Sequence, residues 1–339
     1  MKNYFIGIMT GTSADAIDGC IVSFENEFKL IDSSWIKNDS YKKDYEECIA
    51  EGIKTVDKSE KLMKLENDLN ILTLELIDGL LDMNNLSPKD ITCIGFSGQT
   101  VFHTNQKSYQ IGDPEFIANN SGIKVISDFR NFDIKNGGMG APLIPIFHQY
   151  LYAEENKRKI IFNIGGIANG TYLDGKNISL ASDVGPGNCL MDFISTESYG
   201  LPYDQNGDFA NRGEFSIELY DKLMQECSHM VYPRADDKKD YYKLIDNDLL
   251  KMPPDNALKT LTNFTAQKIQ DFYNFCDQPK DVIFHGGGVN NLFLMNLIKE
   301  RIKIEPKTTD NEIPSKSVEA AAFAYLAYME KGKVFDVKL

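Results

Sequence analysis

The sequence predicts an α/β protein of two domains with mixed sheets, and three observations carry that prediction. The chain has 339 residues, about two domains at roughly 150 residues each. Two segments share one layout of strand, glycine turn and strand: YFIGIMTGTSADAIDGCIVSF at the head and KIIFNIGGIANGTYLDGKNISL from Lys159, close to half the chain apart. Behind each, helical patterns alternate with short apolar runs, as helices packed on a sheet require. A structural duplication is the favoured reading; a chance likeness of two glycine-rich hairpins is its competitor. The expected division is residues 1–155 and 156–339.

In chain order, residues 4–9 form an apolar β-type run, then come a small-residue turn and second and third strands at 20–24 and 28–35. Apolar residues at mixed three- and four-residue spacings predict a helix over 59–83. Residues 91–96 read as a buried strand. Asp113-Pro114-Glu115 reads as a helix start, with Asp113 as N-cap and Pro114 in the first turn. A strand at 124–127 and a glycine-rich loop at 137–140 follow. After a polar segment, strands are expected at 159–164, 171–173 and 178–182, and helices at 188–197, 215–227 and 256–275. Residues 281–285 read as a buried strand, 286–288 as a glycine turn and 291–301 as a helix. The last expected helix, 317–331, is apolar or alanine nearly all round.

Composition narrows the function. Lys plus Arg number 36 and Asp plus Glu 50, a net charge of −14, with 42% hydrophobic, 11% aromatic and 25% charged residues. These values exclude disorder, collagen-like repeats and coiled coil. The acidity argues against nucleic acid and anionic membranes as partners, because both need a dense cationic surface. The N-terminus carries no secretory signal pattern, and no run reaches the roughly 18 apolar residues of a membrane span. The six cysteines are scattered without a CxxC pair, so neither a disulfide framework nor a zinc site is expected. A soluble cytoplasmic protein is the expectation.

Three glycine loops suggest what is bound. The turn Thr10-Gly11-Thr12-Ser13 offers backbone N–H groups and hydroxyls that can surround anionic oxygen, and so does Gly165-Gly166 beside Asn163 and Asn169. Each alone reads equally as a plain tight turn. Gly286-Gly287-Gly288, between a strand and a helix opened by Asn290-Asn291, would let a flat or phosphorylated ligand approach the helix N-terminus. There is no GxxxxGKS or GxGxxG, so neither a P-loop nor a Rossmann site is indicated. The three loops together point to an interdomain nucleotide cleft with one phosphate hairpin from each half.

Asp183, in Ser182-Asp183-Val184-Gly185-Pro186-Gly187-Asn188, reads as a carboxylate at a strand end, suited to a general base; a turn former is the alternative. Asp15 and Asp18 could face Mg²⁺ or its water shell, or be solvent-facing acids. Arg130 could fork onto a substrate carboxylate or pair with Asp128 or Asp133. The four histidines, His103, His148, His229 and His285, show no metal-binding spacing, and only His103 lies near a plausible loop site.

Ten stretches, end to end, then carry a resemblance: IGIMTGTSADAIDG (6–19), GFSGQTVFH (95–103), IGDPEFIANNSGIKVISDFRNFDI (111–134), GGMGAPLIPIFH (137–148), FNIGGIANGTYL (162–173), SDVGPGNCLMD (182–192), YDQNGDFA (203–210), LTNFTAQ (261–267), HGGGVNN (285–291) and VEAAAFAYLA (318–327). In these the chain resembles the anhydro-N-acetylmuramic acid kinase family of the actin/hexokinase/Hsp70-like ATPases. The resemblance implies two actin-like (ribonuclease H-like) domains with mixed five-stranded sheets and an interdomain ATP cleft, closing on ligand. It allows the last helix to pack back on the first domain.

It further implies a kinase that uses ATP and Mg²⁺ to open 1,6-anhydro-N-acetylmuramic acid with water while phosphorylating O6, in cell-wall recycling. By motif position, Thr10, Gly11, Thr12, Ser13, Ala14, Asp15, Ala16 and Ile17 would form the ATP-phosphate loop, with Gly165 and Gly166 as the second hairpin. Asp183 would be the base, Gly286, Gly287 and Gly288 would lie under the adenosine, and Asp15 would reach the metal through water. Gln99, Thr100, Arg130 and Glu319 would line the sugar side, Arg130 facing the lactyl carboxylate. The family often forms homodimers.

This sequence departs from the family pattern at Thr10, Ala16, Ser97, Met139 and Val184, and around Pro233-Arg234-Ala235-Asp236, where the family carries a Lys-Ser-Thr-Gly-Arg-Glu segment. Ser97, Met139 and Val184 motivate one rival, a same-fold kinase acting on another anhydro or simple sugar. A nucleotide-binding scaffold is the second rival, and Asp183 with the polar loop 98–100 counts against it.

Overall fold

The computed structural model describes residues 3–338 except 51, 54, 57, 58, 105, 229 and 230, so His229 lies outside the described residues. The chain divides into two compact units, Met1–Phe147 with Ser317–Leu339, and His148–Lys316.

The first unit is built on strands β1 (Tyr4–Thr10), β2 (Ile17–Ser23), β3 (Lys29–Ile36), β4 (Ile91–Phe96) and β7 (Val125–Ser127), with β5 (Gln99–His103) and β6 (Ser108–Ile111) pairing apart as a hairpin. The main sheet runs β7-β4-β1-β2-β3, antiparallel within β1-β2-β3 and parallel across β1-β4-β7. A sixth strand, Lys333–Phe335, adds antiparallel to β7, so this sheet exceeds the five strands expected. The central strand β1 is apolar on both faces because both are covered.

Helix Glu60–Met83 starts at Ser59, whose side chain accepts from the Leu62 amide, and buries a stripe from Leu62 to Leu81. Asp113 caps helix Pro114–Ser121 as expected, accepting from the amides of Glu115 and Phe116 at 3.0 Å each. The alanine-rich composition of helix Val318–Tyr328 has a geometric reason. A Cβ at Gly7 would lie 1.8 Å from the Ala320 carbonyl oxygen, and one at Gly95 2.1 Å from that of Phe323. Helix and strand backbones touch, and larger side chains at either surface would part them.

The second unit repeats the topology. Strands β8 (Arg158–Ile164), β9 (Ile167–Asp174) and β10 (Asn177–Pro186) form an antiparallel meander, and β11 (Asp281–His285) and β12 (Lys307–Thr308) add parallel to β8, giving β10-β9-β8-β11-β12. That order matches β3-β2-β1-β4-β7 strand for strand, which supports the duplication. Its core is aromatic, with Phe162, Phe264, Phe272 and Phe284 fully buried around helix Pro254–Phe275.

Two expectations are corrected here. β10 runs to Pro186, so Asp183 lies inside a strand rather than beyond its end; the pairing with β9 slips between Asp183 and Gly185, where a bulge replaces the expected turn. Gly287–Asn290 is one 3₁₀ turn, and helix Leu292–Ile302 begins with Asn291 accepting from the Leu294 amide at 2.9 Å. That amide of the first turn is therefore already satisfied by the chain itself.

The motif YDQNGDFA also has a structural account. Asp204 is buried, and its two carboxylate oxygens accept from the amides of Phe209 and Ala210 at 2.9 Å each. It clamps the start of the short helix Asp208–Arg212, at the cost of a carboxyl pKa raised by burial.

Candidate active site

In the first unit, the β1–β2 hairpin closes with Thr10 opposite Ile17, leaving residues 11–16 as the loop. The Ala14 amide bonds the Gly11 carbonyl at 3.0 Å, with Ala14 in the left-handed region at φ 50°. The segment after β4 holds this loop in place. Ser97 Oγ accepts from the Thr10 amide at 3.1 Å, Thr10 Oγ1 donates to the Gly98 carbonyl at 2.9 Å, and Gln99 Nε2 donates to the Gly11 carbonyl at 2.8 Å. Ser97 and Thr10, both departures from the family pattern, are thus spent on backbone, the Ser97 hydroxyl on the Thr10 amide and the Thr10 hydroxyl on the Gly98 carbonyl. Thr12 is exposed, Ser13 and Ala16 are half-buried, and Asp15 is an exposed carboxylate paired with Lys42.

The expected sugar-side residues fall into separate groups. Gln99 is fully buried beneath the hairpin, and the Thr100 carbonyl accepts from the Tyr45 hydroxyl at 2.6 Å. Arg130 Nη1 donates to the Gly140 carbonyl at 3.1 Å, while Asp133 takes the Gly140 amide at 2.7 Å and Asp128 takes Asn131 Nδ2 at 2.6 Å. His103 adjoins this cluster, since a Cβ at Gly140 would lie 2.9 Å from its Cε1. Burial, and secondarily the Arg130 cation, push its imidazole down to about 4, so it is neutral at pH 7. Glu319 is half-buried in the first turn of helix Val318–Tyr328.

In the second unit, the carbonyls of Gly165 and Gly166 face the start of helix Cys189–Tyr199. Gly165 accepts from the Asn188 amide at 2.8 Å, and Gly166 from those of Gly187 and Cys189 at 3.0 and 3.1 Å. A Cβ on Gly187 would sit 2.2 Å from the Gly165 oxygen, which explains that glycine. Lys238 lies across the turn, its Cε 2.3 Å from where a Gly166 Cβ would be. The glycine loop abuts the same corner. Gly286, at φ 88°, leaves no room for a Cβ beside Asn163 Oδ1, and Gly288 leaves none beside Ile164. Asn188 Nδ2 reaches the Ile164 carbonyl at 3.3 Å. Gly165, Gly166, Gly286, Gly287 and Gly288 therefore border one glycine-lined corner of this unit.

Asp183 is half-buried on β10, and its Oδ2 accepts from the Asp236 amide at 2.7 Å. Arg234, Asp236 and Tyr241, which hold that amide, were not predicted as site residues; the signal was the unusual Pro233-Arg234-Ala235-Asp236 segment. Val184 is fully buried in the core and Met139 is exposed. Among the described residues, no cluster of three or more His, Cys, Asp or Glu side chains is placed to hold a metal ion. Asp15 offers a single exposed carboxylate beside the hairpin, and Lys42 is paired with it.

Solved structures share this fold. The Acidaminococcus fermentans (R)-2-hydroxyglutaryl-CoA dehydratase component A superposes with a TM-score of 0.54 at 12% identity, covering 98% of this chain and 100% of that one. The activator of the 2-hydroxyisocaproyl-CoA dehydratase from Clostridium difficile with bound ADPNP gives 0.52 at 12% identity, covering 97% and 95%. Two sheets of one strand order and these likenesses define an actin/hexokinase-like fold. Within it, the model of the family described as "Anhydro-N-acetylmuramic acid kinase" matches residues 3–334. A protein of that name from Pasteurella multocida (strain Pm70) is 33% identical over 96% of this chain and 89% of its own length. The chain belongs to the anhydro-N-acetylmuramic acid kinase family.

Proposed function

We propose that the protein is an ATP-dependent kinase that hydrolytically opens 1,6-anhydro-N-acetylmuramic acid and phosphorylates O6, giving N-acetylmuramic acid 6-phosphate in cell-wall recycling. The observation that carries this reading, beside the family membership, is the Asp183 carboxylate held on a strand bulge by the Asp236 amide. A general base must be ionised and fixed in rotation, and an amide donor to one carboxylate oxygen favours both. Asp183 takes a proton from water as the water oxygen attacks the anomeric carbon. The bond from that carbon to O6 breaks, O6 takes the γ-phosphoryl group, and ADP leaves with the electron pair of the cleaved P–O bond.

The hairpin residues 10–17 and the glycine corner of the second unit supply backbone for phosphates and nucleotide. Asp15 is the residue that would hold Mg²⁺ bound with ATP, and the ion would supply positive charge against the phosphoryl oxygens. Arg130 suits the lactyl carboxylate as a planar cation, and the neutral His103 beside it adds a hydrogen-bonding ring without a second charge. Gln99, Thr100 and Glu319 complete the sugar side. The departures at Ser97, Met139 and Val184 do not argue for another sugar: Ser97 is bound to Thr10, Val184 is in the core and Met139 is exposed.

The test is turnover in ¹⁸O-labelled water, quenched early. One labelled oxygen is expected at the anomeric position and none in the phosphoryl group. A phosphorylated product without early label, or faster ADP release on a plain hexose than on the anhydro sugar, refutes the reading.

A further inference from the structure

We propose that Arg234, Asp236 and Tyr241 are positioning residues for Asp183, a clasp that fixes the carboxylate's orientation; the proposal rests on reading Asp183 as the base. β10 is an edge strand, and the slipped pairing at Asp183 turns its backbone toward segment 232–236. The Asp183 amide donates to the Arg234 carbonyl at 3.0 Å, and the Arg234 amide to Ser182 Oγ at 2.9 Å. The segment thus runs along the strand edge as a short extra rung and brings the Asp236 amide to Asp183 Oδ2 at 2.7 Å.

Side chains lock the rung. Arg234 Nε donates to the Asp183 carbonyl at 3.2 Å, and its Nη2 reaches Asp236 Oδ2 at 3.0 Å and the Tyr241 hydroxyl at 3.1 Å. The Tyr241 hydroxyl in turn donates to Asp236 Oδ2. The Arg234 and Asp236 side chains are only 10% and 13% exposed, so solvent screens their attraction weakly. Burial, with Asp236 adding to it, pushes the Tyr241 phenol well above its usual range, which keeps it a donor. One guanidinium therefore ties the backbone of the base to the carboxylate that orients the amide facing the base. A hydrogen bond given to a carboxylate favours its ionised form, so the acid limb of the pH profile reads whether the clasp is intact.

The experiment measures sugar-dependent ADP release across pH for Tyr241→Phe, Asp236→Asn and Arg234→Lys in the full chain, with melting temperature and binding of a non-hydrolysable ATP analogue alongside. Arg234→Lys keeps a cation beside Asp236 and is the variant least exposed to misfolding. Expected are kcat lower by about tenfold, analogue affinity within about twofold, and an acid limb of the kcat/KM profile moved upward by about half a pH unit or more. A purely structural role would lower the melting temperature and leave the acid limb in place. Folded variants with wild-type kcat and acid limb overturn the clasp. Asp183→Asn at wild-type turnover overturns the base assignment itself, which separates the two failures.

Discussion

His148 Nε2 and His285 Nε2 lie 2.9 Å apart, both rings fully buried. A hydrogen bond between two imidazole nitrogens holds one proton, so both rings cannot be charged at once. Thr171 Oγ1 meets His148 Nδ1 at 2.9 Å. Burial drives the His285 pKa down to about 3 and, with His285 beside it, that of His148 well below the ordinary 6.5. In the unfolded chain both rings take protons as pH falls through about 6.5, while in the fold they do not. The pair's contribution is therefore complete above pH 6.5 and is lost progressively toward pH 3. At pH 5 the cost is roughly 2 kcal/mol for His285, and His148 adds to it in the same direction. The melting temperature should fall between pH 7.5 and 5, and His148→Leu with His285→Leu should flatten that slope. An unchanged slope in the double variant contradicts the assignment.

Two neighbouring glycines should respond differently to one added methyl. At Gly187 the clash is with the Gly165 carbonyl, a backbone atom of the hairpin. At Gly166 it is with the distal end of Lys238, which can swing away. Gly187→Ala should cost about 2–3 kcal/mol by forcing hairpin and helix apart, and Gly166→Ala less than about 1 kcal/mol. Urea unfolding of the two variants decides it, and equal costs would contradict the close approach.

Local signals made part of this legible. The hairpin β1–β2 announces itself by apolar strands around small residues, and the Asp113 cap by an acid before a proline. The repeated topology followed from two hairpins of one layout. What the sequence hid is non-local. Arg234 reaches Asp183 across some fifty positions, and no spacing rule links them. Helix Val318–Tyr328 lies on Gly7 and Gly95 for a tertiary reason, so its even apolarity said only that it is buried. The hairpin β5–β6 and the helices Asp39–Ala50 and Pro145–Tyr152 were not expected either. Asp183 was found by motif but placed at a strand end, because a bulge inside a strand and a turn after it carry the same glycine and proline.

Gln99 tests which neighbour it serves. Its side chain is fully buried and donates at 2.8 Å to the carbonyl of Gly11, the first residue of the loop between β1 and β2. Gln99→Met keeps the volume and removes the donor. If the residue mainly shapes the loop, KM for ATP should rise about fivefold, the value of one net hydrogen bond, with KM for the sugar nearly unchanged. The opposite split would make it a direct sugar contact.

Asp183→Asn isolates the proton from the scaffold. Asparagine keeps the shape of the side chain and an oxygen for the Asp236 amide, so the bulge on β10 and the Arg234 rung should survive. What it loses is the capacity to accept a proton from water as the anomeric carbon is attacked. Turnover should drop by at least about two orders of magnitude, the usual weight of a general base, with the KM for ATP within about twofold. A carboxylate that acts only in the transition state makes kcat and kcat/KM fall together, and that is the expected pattern. Sugar-dependent ADP release and the melting temperature, measured side by side, check this. Normal turnover in a folded variant would remove Asp183 from the chemistry, while a large loss with an unshifted melting temperature assigns the proton to this carboxyl group.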